Sequence, residues 1–220
     1  MPQYVQDRLN FYDAILFLQG LGNTVLLCVA GLSLGLIIAL FVGLARSSHF
    51  RCLSWPAGAY IEIVRDSPLL MQLYLVFFAL PLLGLQVPIL VAGIVTLMVN
   101  SSAFLAEIVR AGIQAVGKDQ WDAARGLGME YGQTMRWVVL PQAVRVMIPP
   151  GVGLLIGMIK DSSVISVISY LELTRVGQIL TEKTFLSFQV FGIVAALYFL
   201  MCYPLSRLAR YAERRLRVGG

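Results

Sequence analysis

The chain has 220 residues, of which 58% are hydrophobic and only 13% charged, and its mean hydropathy is +0.79. These values exclude an ordinary soluble domain and are typical of a protein that crosses a membrane several times. The formal net charge of +5 would also suit a nucleic-acid partner, but the sequence contains no basic-aromatic binding module, and we expect none.

Five apolar runs are long enough to cross a bilayer as helices. A crossing helix needs roughly 20 residues, and these runs lack the alternation that marks membrane strands. We therefore predict an all-α fold with five transmembrane helices in a single domain over residues 15–210. The predicted spans lie at about 20–45, 60–82, 87–112, 138–160 and 184–207.

The segments outside the spans are short. Residues 1–14 form a polar lead, and residues 211–220 form a basic tail whose long side chains reach the membrane surface. Turn-forming residues mark the reversal between the second and third spans, namely Pro81, Gly84 and Pro88.

Basic residues are unevenly distributed between the two sides of the predicted bundle. With the N-terminus outside, only Arg8, Lys160, Arg175 and Lys183 of the 17 lysines and arginines lie on the outer side. Because loops rich in lysine and arginine stay in the cytoplasm, this asymmetry predicts an external N-terminus and a cytoplasmic C-terminus. The lipid bilayer is a partner in itself, since the basic loops meet anionic headgroups.

A polar insert, residues 118–137, joins the third and fourth spans on the predicted cytoplasmic side. Asp119 is predicted to cap a short helix there, and Gly128 suits the left-handed position that ends one. Ala123 and Ala124 are small, so another surface can approach closely. From these features alone, the insert is either an amphipathic helix lying on lipid or an elbow that a soluble partner grips.

The residue pattern of this insert resembles the EAA loop of ABC importer permeases. It reads Asp122-Ala123-Ala124, three residues, Gly128, nine residues, then Val138, one residue, Leu140 and Pro141. The family pattern has Glu and Ile where this chain has Asp and Val, and the spacing is intact. The resemblance implies a site for coupling to an ATPase at Asp122, Ala123, Ala124, Gly128, Leu140 and Pro141.

Further stretches resemble the polar amino acid subfamily of these permeases, the histidine, glutamine and glutamate type. They occur in order along nearly the whole chain, which chance agreement does not explain. The main departure is Asp66, where glycine is commoner in the subfamily. The matching stretches are Glu62–Gln72, Ala106–Ile113, Leu140–Ala143 and Lys160–Ser163.

The resemblance implies a type I transmembrane domain that works within an ATP-driven importer of the bacterial cytoplasmic (inner) membrane. Two copies, or two related permease subunits, form the pathway. A cytoplasmic ABC ATPase dimer drives them, and a periplasmic or lipid-anchored binding protein delivers the amino acid. The chain itself has no Gly-x-x-x-x-Gly-Lys-Ser/Thr loop to hold a nucleotide. We therefore expect a transporter subunit without a catalytic site or a directly bound cofactor, with ATP and Mg²⁺ on the partner ATPase.

Polar residues within and at the ends of the spans are candidates for the substrate pathway. Asn100 and Ser101 lie in the middle of an apolar run, where they either line the pathway or join helices by hydrogen bonds. A polar cluster at the outer end of the fourth span either touches substrate or forms an interfacial ion pair. It comprises Lys160, Asp161, Ser162 and Ser163.

Two further groups of residues are interpreted as structural. Near the cytoplasmic ends of the second and third spans, we expect salt bridges between helices among Glu62, Arg65, Glu107 and Arg110. Small residues spaced by four and eight positions in the first span predict close helix packing, within the subunit or across a dimer, at Gly31, Gly35 and Gly43.

Other function classes fit the sequence less well. A passive channel, or a scaffold subunit of another membrane complex, is the alternative. An intramembrane enzyme would need a Ser–His pair or facing carboxylates within the spans, and the widely separated cysteines offer no metal-binding spacing. The sequence leaves open which amino acid is carried, whether the two permeases are identical, and how residues 161–183 fold.

Overall fold

The computed structural model describes residues 9–48 and 50–216, except for the side chains of residues 215 and 216. Within that part of the chain all regular structure is helical, which confirms the predicted all-α fold. The predicted polar lead and basic tail lie partly outside the described residues. Four described helices are long and apolar enough to cross a membrane, and a bent pair supplies a fifth crossing if it counts as one span.

The helices follow one another as α1 (Phe11–Arg46), α2 (Arg51–Asp66), α3 (Leu69–Leu82), α4 (Ile89–Gln114), α5 (Lys118–Gly126), α6 (Tyr131–Ile168), α7 (Leu173–Thr184) and α8 (Ser187–Leu216). Helix α6 contains a π-helical turn at Met135–Val139 and ends in a 3-10 helix at Ser162–Ile168. We call residues 118–137 the elbow, the end of the bundle that carries them the elbow side, and the opposite end the far side.

The second predicted span, 60–82, is divided in the structure into α2 and α3, with a bend of 104° between them. Pro68 has no N–H and disfavours helical conformation at the residue before it, and Ser67 is extended with ψ 138°. The side-chain amide of Gln72 donates hydrogen bonds to the carbonyl oxygens of Val64 at 2.8 Å and Ser67 at 3.2 Å. It thereby satisfies carbonyl groups that the break leaves without helical partners.

Helices α1 and α4 form the centre of the bundle, and glycines let their backbones approach closely. A Cβ atom added to Gly35 would lie 3.0 Å from the carbonyl oxygen of Met98, and one added to Gly43 would lie 2.9 Å from that of Ala106. An added Cβ on Gly31 would press against α4 in the same way. The close packing predicted for these glycines therefore occurs within the subunit.

Helix α1 begins at Phe11, inside the segment predicted as a polar lead. Asn10 and Asp13 form a capping box in which each side chain accepts a hydrogen bond from the backbone N–H of the other. The Asp13 carboxylate also lies 2.7 Å from the Lys183 ammonium, which ties the start of α1 to the end of α7. The polar residues before the apolar run are therefore the first turn of a projecting helix.

The remaining predicted spans lie within longer helices. Helix α4 continues beyond the predicted end at 112, and α8 continues into the segment predicted as a tail. The reversal between α3 and α4 contains Gly84 with φ 84°, a left-handed conformation that suits glycine. Residues 161–183, whose fold the sequence left open, form the last turns of α6 and most of α7.

A buried carboxylate begins α7. Glu172 is fully buried, and its oxygens accept hydrogen bonds from the backbone N–H groups of Arg175 at 2.7 Å and Thr174 at 2.9 Å. The Tyr198 hydroxyl on α8 donates to the same carboxylate at 3.0 Å. Burial raises the pKa of Glu172 above its ordinary value, although these three donors oppose the shift.

Gly35→Ala is expected to destabilise the protein by roughly 1–3 kcal/mol, because the added Cβ overpacks the contact between α1 and α4. Gly22→Ala is the matched control, since Gly22 lies on the same helix with open space around it and alanine favours the helix. Thermal unfolding of the purified protein in detergent measures both changes. Equal melting temperatures for the two variants would contradict the packing role of Gly35.

Glu172→Gln is expected to change how stability depends on pH. Because the folded-state pKa of Glu172 is raised, its stability contribution is complete below the unfolded pKa of about 4.3 and declines as pH rises through the folded pKa. Glutamine removes the titration and keeps an oxygen that accepts hydrogen bonds from α7. Melting temperatures measured across this range check the prediction, and an identical decline in the variant would assign it to another group.

Candidate functional site

The first helix of the elbow, α5, is built from polar and small residues. It begins after Gly117, whereas Asp119, predicted as the N-cap, lies in the first turn and makes no capping contact. The difference changes little, because an acidic side chain in the first turn still interacts favourably with the helix dipole. Asp122 and Arg125 lie one turn apart on the exposed face, with 3.7 Å between their charged groups.

Gly128 ends this helix in the predicted conformation. Its φ is 74°, and the following N–H, of Met129, donates to the Ala124 carbonyl at 3.1 Å. This is the hydrogen-bond pattern of a helix that closes with a left-handed glycine. The chain therefore reverses tightly and enters α6 three residues later.

Aromatic, polar and apolar contacts attach the elbow helix α5 to helices α4 and α6. The ring of Trp121 stacks on that of Tyr131, with centroids 5.8 Å apart and planes 25° apart. The side-chain amide of Gln142 donates to Gln120 across the turn at 3.2 Å. Trp121 also packs against an apolar cluster from the elbow-side ends of α4 and α6, formed by Val109, Ile113, Val116, Val139 and Ala143.

The outward face of the elbow has small side chains around one large one. Ala124 is buried against the bundle, whereas Ala123 and Gly128 are exposed. Leu127 projects from the tip with 82% of its surface exposed. A protruding leucine between small residues is the kind of apolar surface that a groove on another protein covers.

Leu140 and Pro141 connect the elbow to the bundle. They follow the π-helical turn Met135–Val139 and begin the long regular part of α6. Pro141 has no N–H for an α-helical hydrogen bond, and the wider turn accommodates its ring without ending the helix. The predicted coupling residues thus comprise an exposed tip and a connection to α6.

The polar residues in the middle of α4 contact neighbouring helices. Ser101 is buried against α1, where its hydroxyl lies 3.5 Å from the Gly31 carbonyl oxygen. The Asn100 amide lies 3.3 Å from the side-chain oxygen of Gln72, the residue that bridges the break between α2 and α3. Both contacts join helices, which is one of the two roles that the sequence left open.

A groove of about 600 Å³ runs between the end of α6, the start of α7 and one face of α8. Lys160 and Ser163 of the predicted polar cluster line it, together with Thr174 and Tyr198. The other walls are largely aromatic or small. An ammonium group and hydroxyls above an apolar wall can bind a carboxylate and the polar groups beside it.

The other two members of that cluster lie outside the groove. Ser162 is buried and its hydroxyl donates to the Ile159 carbonyl at 2.7 Å, so it closes the end of α6. Asp161 is exposed and makes no ion pair with a described residue. The structure thus separates four residues that are adjacent in sequence.

The predicted salt bridges between helices are corrected by the structure. Glu107 pairs with Arg110 on the same helix, with 2.9 Å between Nε and Oε2, because residues three apart are neighbours on a helix surface. Arg65 instead places its guanidinium over the Phe104 ring, 5.4 Å from the centroid. Glu62 makes no ion pair with any described residue.

Sequence reasoning missed Glu172 and its hydrogen-bond partners. Glutamate is not a favoured N-cap residue, so the start of α7 gave no standard signal. The available signal was a carboxylate flanked by Leu171 and Leu173, since a buried charge needs partners. Among the described residues, no three potential ligands are grouped as a metal site would require.

Comparison with known proteins identifies the family. Residues 31–218 match the family described as binding-protein-dependent transport system inner membrane component. The chain is 36% identical over 206 residues to the probable glutamine ABC transporter permease protein GlnM of Bacillus subtilis (strain 168), covering 94% of this chain and 95% of that protein. It is 35% identical over 205 residues to the glutamine transport system permease protein GlnP of Escherichia coli (strain K12), covering 92% and 94%.

Solved structures agree with this assignment. An amino acid ABC transporter crystallised with histidines matches with a TM-score of 0.87 and 38% identity, over 94% of this chain and 99% of that chain. An inward-facing MetNI methionine ABC transporter matches with a TM-score of 0.77 and 21% identity, over 94% and 99%, which is a similarity of fold. The chain therefore belongs to the family of binding-protein-dependent transport system inner membrane components, the multi-pass permease subunits of ABC importers.

Proposed function

We propose that this permease subunit carries polar amino acids across the bacterial cytoplasmic membrane. The observation that carries the proposal is the elbow, whose exposed small-residue tip is fixed to α4 and α6 by the stacked rings of Trp121 and Tyr131. Relatives covering most of the chain are named for glutamine, L-cystine and arginine. These substrates share an α-ammonium and an α-carboxylate and differ in the side chain, which supports a class rather than one amino acid.

In the proposed assembly, a cytoplasmic ABC ATPase dimer binds ATP and Mg²⁺ and receives the elbow in a groove. Asp122, Ala123 and Gly128 form the contact surface, since all three are exposed. The remaining coupling residues transmit the displacement into the bundle; they are Ala124, Leu140 and Pro141. Closure of the ATPase dimer then shifts the elbow, and α4 and α6 move with it because the apolar cluster joins all three.

Two further partners complete the proposed importer. A second permease subunit, identical or related, forms the pathway together with this one, and a periplasmic or lipid-anchored binding protein delivers the amino acid. An external N-terminus places the elbow in the cytoplasm, where the ATPase is. Basic residues at the elbow side support that orientation, among them Lys118, Arg125 and Arg136.

The groove along α8 is the proposed contact point for substrate within this subunit. The Lys160 ammonium would bind the substrate carboxylate, and the Ser163 and Thr174 hydroxyls would accept from its ammonium group. Ser162 holds the end of α6 through its hydrogen bond to Ile159, and Asp161 adds a negative charge next to Lys160 in the sequence. Asn100 and Ser101 keep the helices that border the pathway in register.

Gly128→Glu is expected to lower ATP-dependent uptake roughly tenfold, because a larger charged side chain separates the elbow from the ATPase and a left-handed residue other than glycine is strained. Gly128→Asn is the matched control, since asparagine tolerates this conformation and adds no charge. Uptake of labelled amino acids by proteoliposomes holding the complete transporter measures the effect. Normal uptake by the glutamate variant would contradict the assignment of the elbow as the coupling site.

Lys160→Met is expected to raise the KM for uptake roughly tenfold by removing the partner of the substrate carboxylate, while Lys160→Arg stays within about threefold of wild type. The same proteoliposomes without ATP provide the second comparison. Uptake that continues without nucleotide would indicate a passive channel, and no uptake under either condition would indicate a scaffold subunit. An unchanged KM in Lys160→Met would contradict the proposal that the substrate carboxylate binds to Lys160 in this groove.

A further inference from the structure

The elbow side of the bundle carries a second cavity, separate from the elbow. It has a volume of about 610 Å³ and lies between the end of α1 and the start of α2. It is lined by Arg46, Arg51, Cys52, Ser54 and Trp55. Nothing in the proposed transport cycle uses these residues.

Arg46 reaches from the last turn of α1 onto the first turns of α2. Its Nη1 atom lies 3.3 Å from the Ser54 carbonyl oxygen and 3.4 Å from the Ser54 hydroxyl, which in turn donates to the Arg46 carbonyl at 3.2 Å. Gly58 leaves room for the guanidinium, because a Cβ there would lie 2.8 Å from Arg46 Cζ. Within residues 9–48 and 50–216, these contacts hold the guanidinium through a single nitrogen, and its other donors have no hydrogen-bond partner there.

The second arginine of the cavity, Arg51, is the exposed first residue of α2. Neither arginine forms an ion pair with a carboxylate in the described part of the chain. Glu107 interacts electrostatically with Arg46, but its carboxylate is already paired with Arg110. Glu62 lies about 16 Å further along α2 than Arg51, at 1.5 Å per residue. The cavity therefore concentrates positive charge.

The start of α2 adds to this positive potential. Its first turn contains no acidic residue, and the N-cap residue Phe50 makes no side-chain hydrogen bond to it. A cationic side chain at a helix N-terminus opposes the helix dipole, so an arginine is unfavourable there unless an anion lies close by. The helix start and both guanidinium groups thus favour a negatively charged ligand.

The rim of the cavity is apolar and aromatic. Trp55 is 76% exposed, and Leu53, two residues before it in the sequence, is also exposed. Tryptophan favours the membrane–water interface, where its ring lies at the level of the headgroups. A soluble anion would leave this rim uncovered, whereas the acyl chains of a lipid would pack against it.

We propose that the end of α1 and the start of α2 form a binding site for the headgroup phosphate of an anionic phospholipid. Arg46 and Arg51 bind the phosphate oxygens, for which the planar guanidinium is well suited. Trp55 packs against the glycerol and the first acyl carbons. The lipid lies in the leaflet on the elbow side and anchors the junction of α1 and α2. This site does not depend on which amino acid is carried.

Native mass spectrometry of the intact transporter tests the proposal, with phosphatidylglycerol and phosphatidylcholine added separately. The wild type is expected to bind phosphatidylglycerol about tenfold more tightly than phosphatidylcholine. Arg46→Gln/Arg51→Gln is expected to lower the phosphatidylglycerol affinity roughly thirtyfold, about fivefold or more for each basic residue. Arg210→Gln/Arg214→Gln removes the same charge from α8 and is expected to leave the tightest binding event within about twofold.

The single variant Arg51→Gln keeps the test decisive if the double variant does not fold, because no described residue accepts a hydrogen bond from Arg51. It is expected to lose about fivefold in affinity, and Arg51→Lys to retain most of it. Unchanged phosphatidylglycerol binding in both site variants overturns the proposal. The proposal is also overturned if soluble glycerol phosphate raises the melting temperature of the transporter as much as phosphatidylglycerol does, because the site would then bind a soluble anion. Loss of the ATPase subunit with unchanged lipid binding would indicate a protein contact instead and overturns it as well.

Discussion

The close backbone approach of α1 to α4 is the constraint on which the rest of the subunit depends. Lipid tails are as apolar as the helix surfaces, so burying leucine against leucine gives little drive for helices to associate in a bilayer. Gly31, Gly35 and Gly43 instead permit short backbone distances and the many van der Waals contacts that follow. With α4 fixed in this way, its elbow-side end presents the apolar cluster to which the elbow is attached.

Polar contacts are concentrated where the helices begin, end or break. Asp13 and Lys183 join α1 to α7 at one end, and Arg46 and Ser54 join α1 to α2 at the other. Gln72 does the same at the break between α2 and α3. Since water does not compete with hydrogen bonds in the hydrocarbon, each unsatisfied group there is costly, and side chains take over where helical bonding stops. The helix ends are thus joined by specific bonds, and in the centre the polar contacts of Asn100 and Ser101 supplement close packing.

Much of this architecture followed from the sequence because it depends on local signals. Long apolar runs predicted the spans, and the spacing of the glycines predicted the packing face of α1. Gly128 predicted the tight reversal of the elbow. The predicted span 60–82 contained no bend at Pro68, because a proline is compatible with the start of a helix and only the extended conformation of Ser67 makes it a break. The elbow residues were recognisable from their pattern, whereas their attachment by stacked rings was not.

Contacts between distant segments could not be predicted. Arg65 lies over the ring of Phe104 rather than beside a carboxylate, because α2 packs against α4 there. The Glu172 network joins α7 to α8, and no single segment shows that a tyrosine 26 positions away supplies its hydrogen bond. Of the four residues from Lys160 to Ser163, the first and last line the groove, Ser162 is buried and Asp161 is exposed outside the groove, at the point where the chain changes to a 3-10 helix. Residue type suggested chemistry in each case, and tertiary geometry decided the partner.

Helix α6 extends without interruption from Tyr131 at the elbow to Ile168 at the far side, 38 residues in one rod. At 1.5 Å per residue the rod is about 57 Å long, so a tilt of roughly 5° at one end displaces the other by about 5 Å. The π-helical turn preserves this continuity where Pro141 would otherwise end it. In the proposed transport cycle, the bending stiffness of this helix, rather than any individual contact, would set what fraction of the ATPase motion reaches the groove along α8.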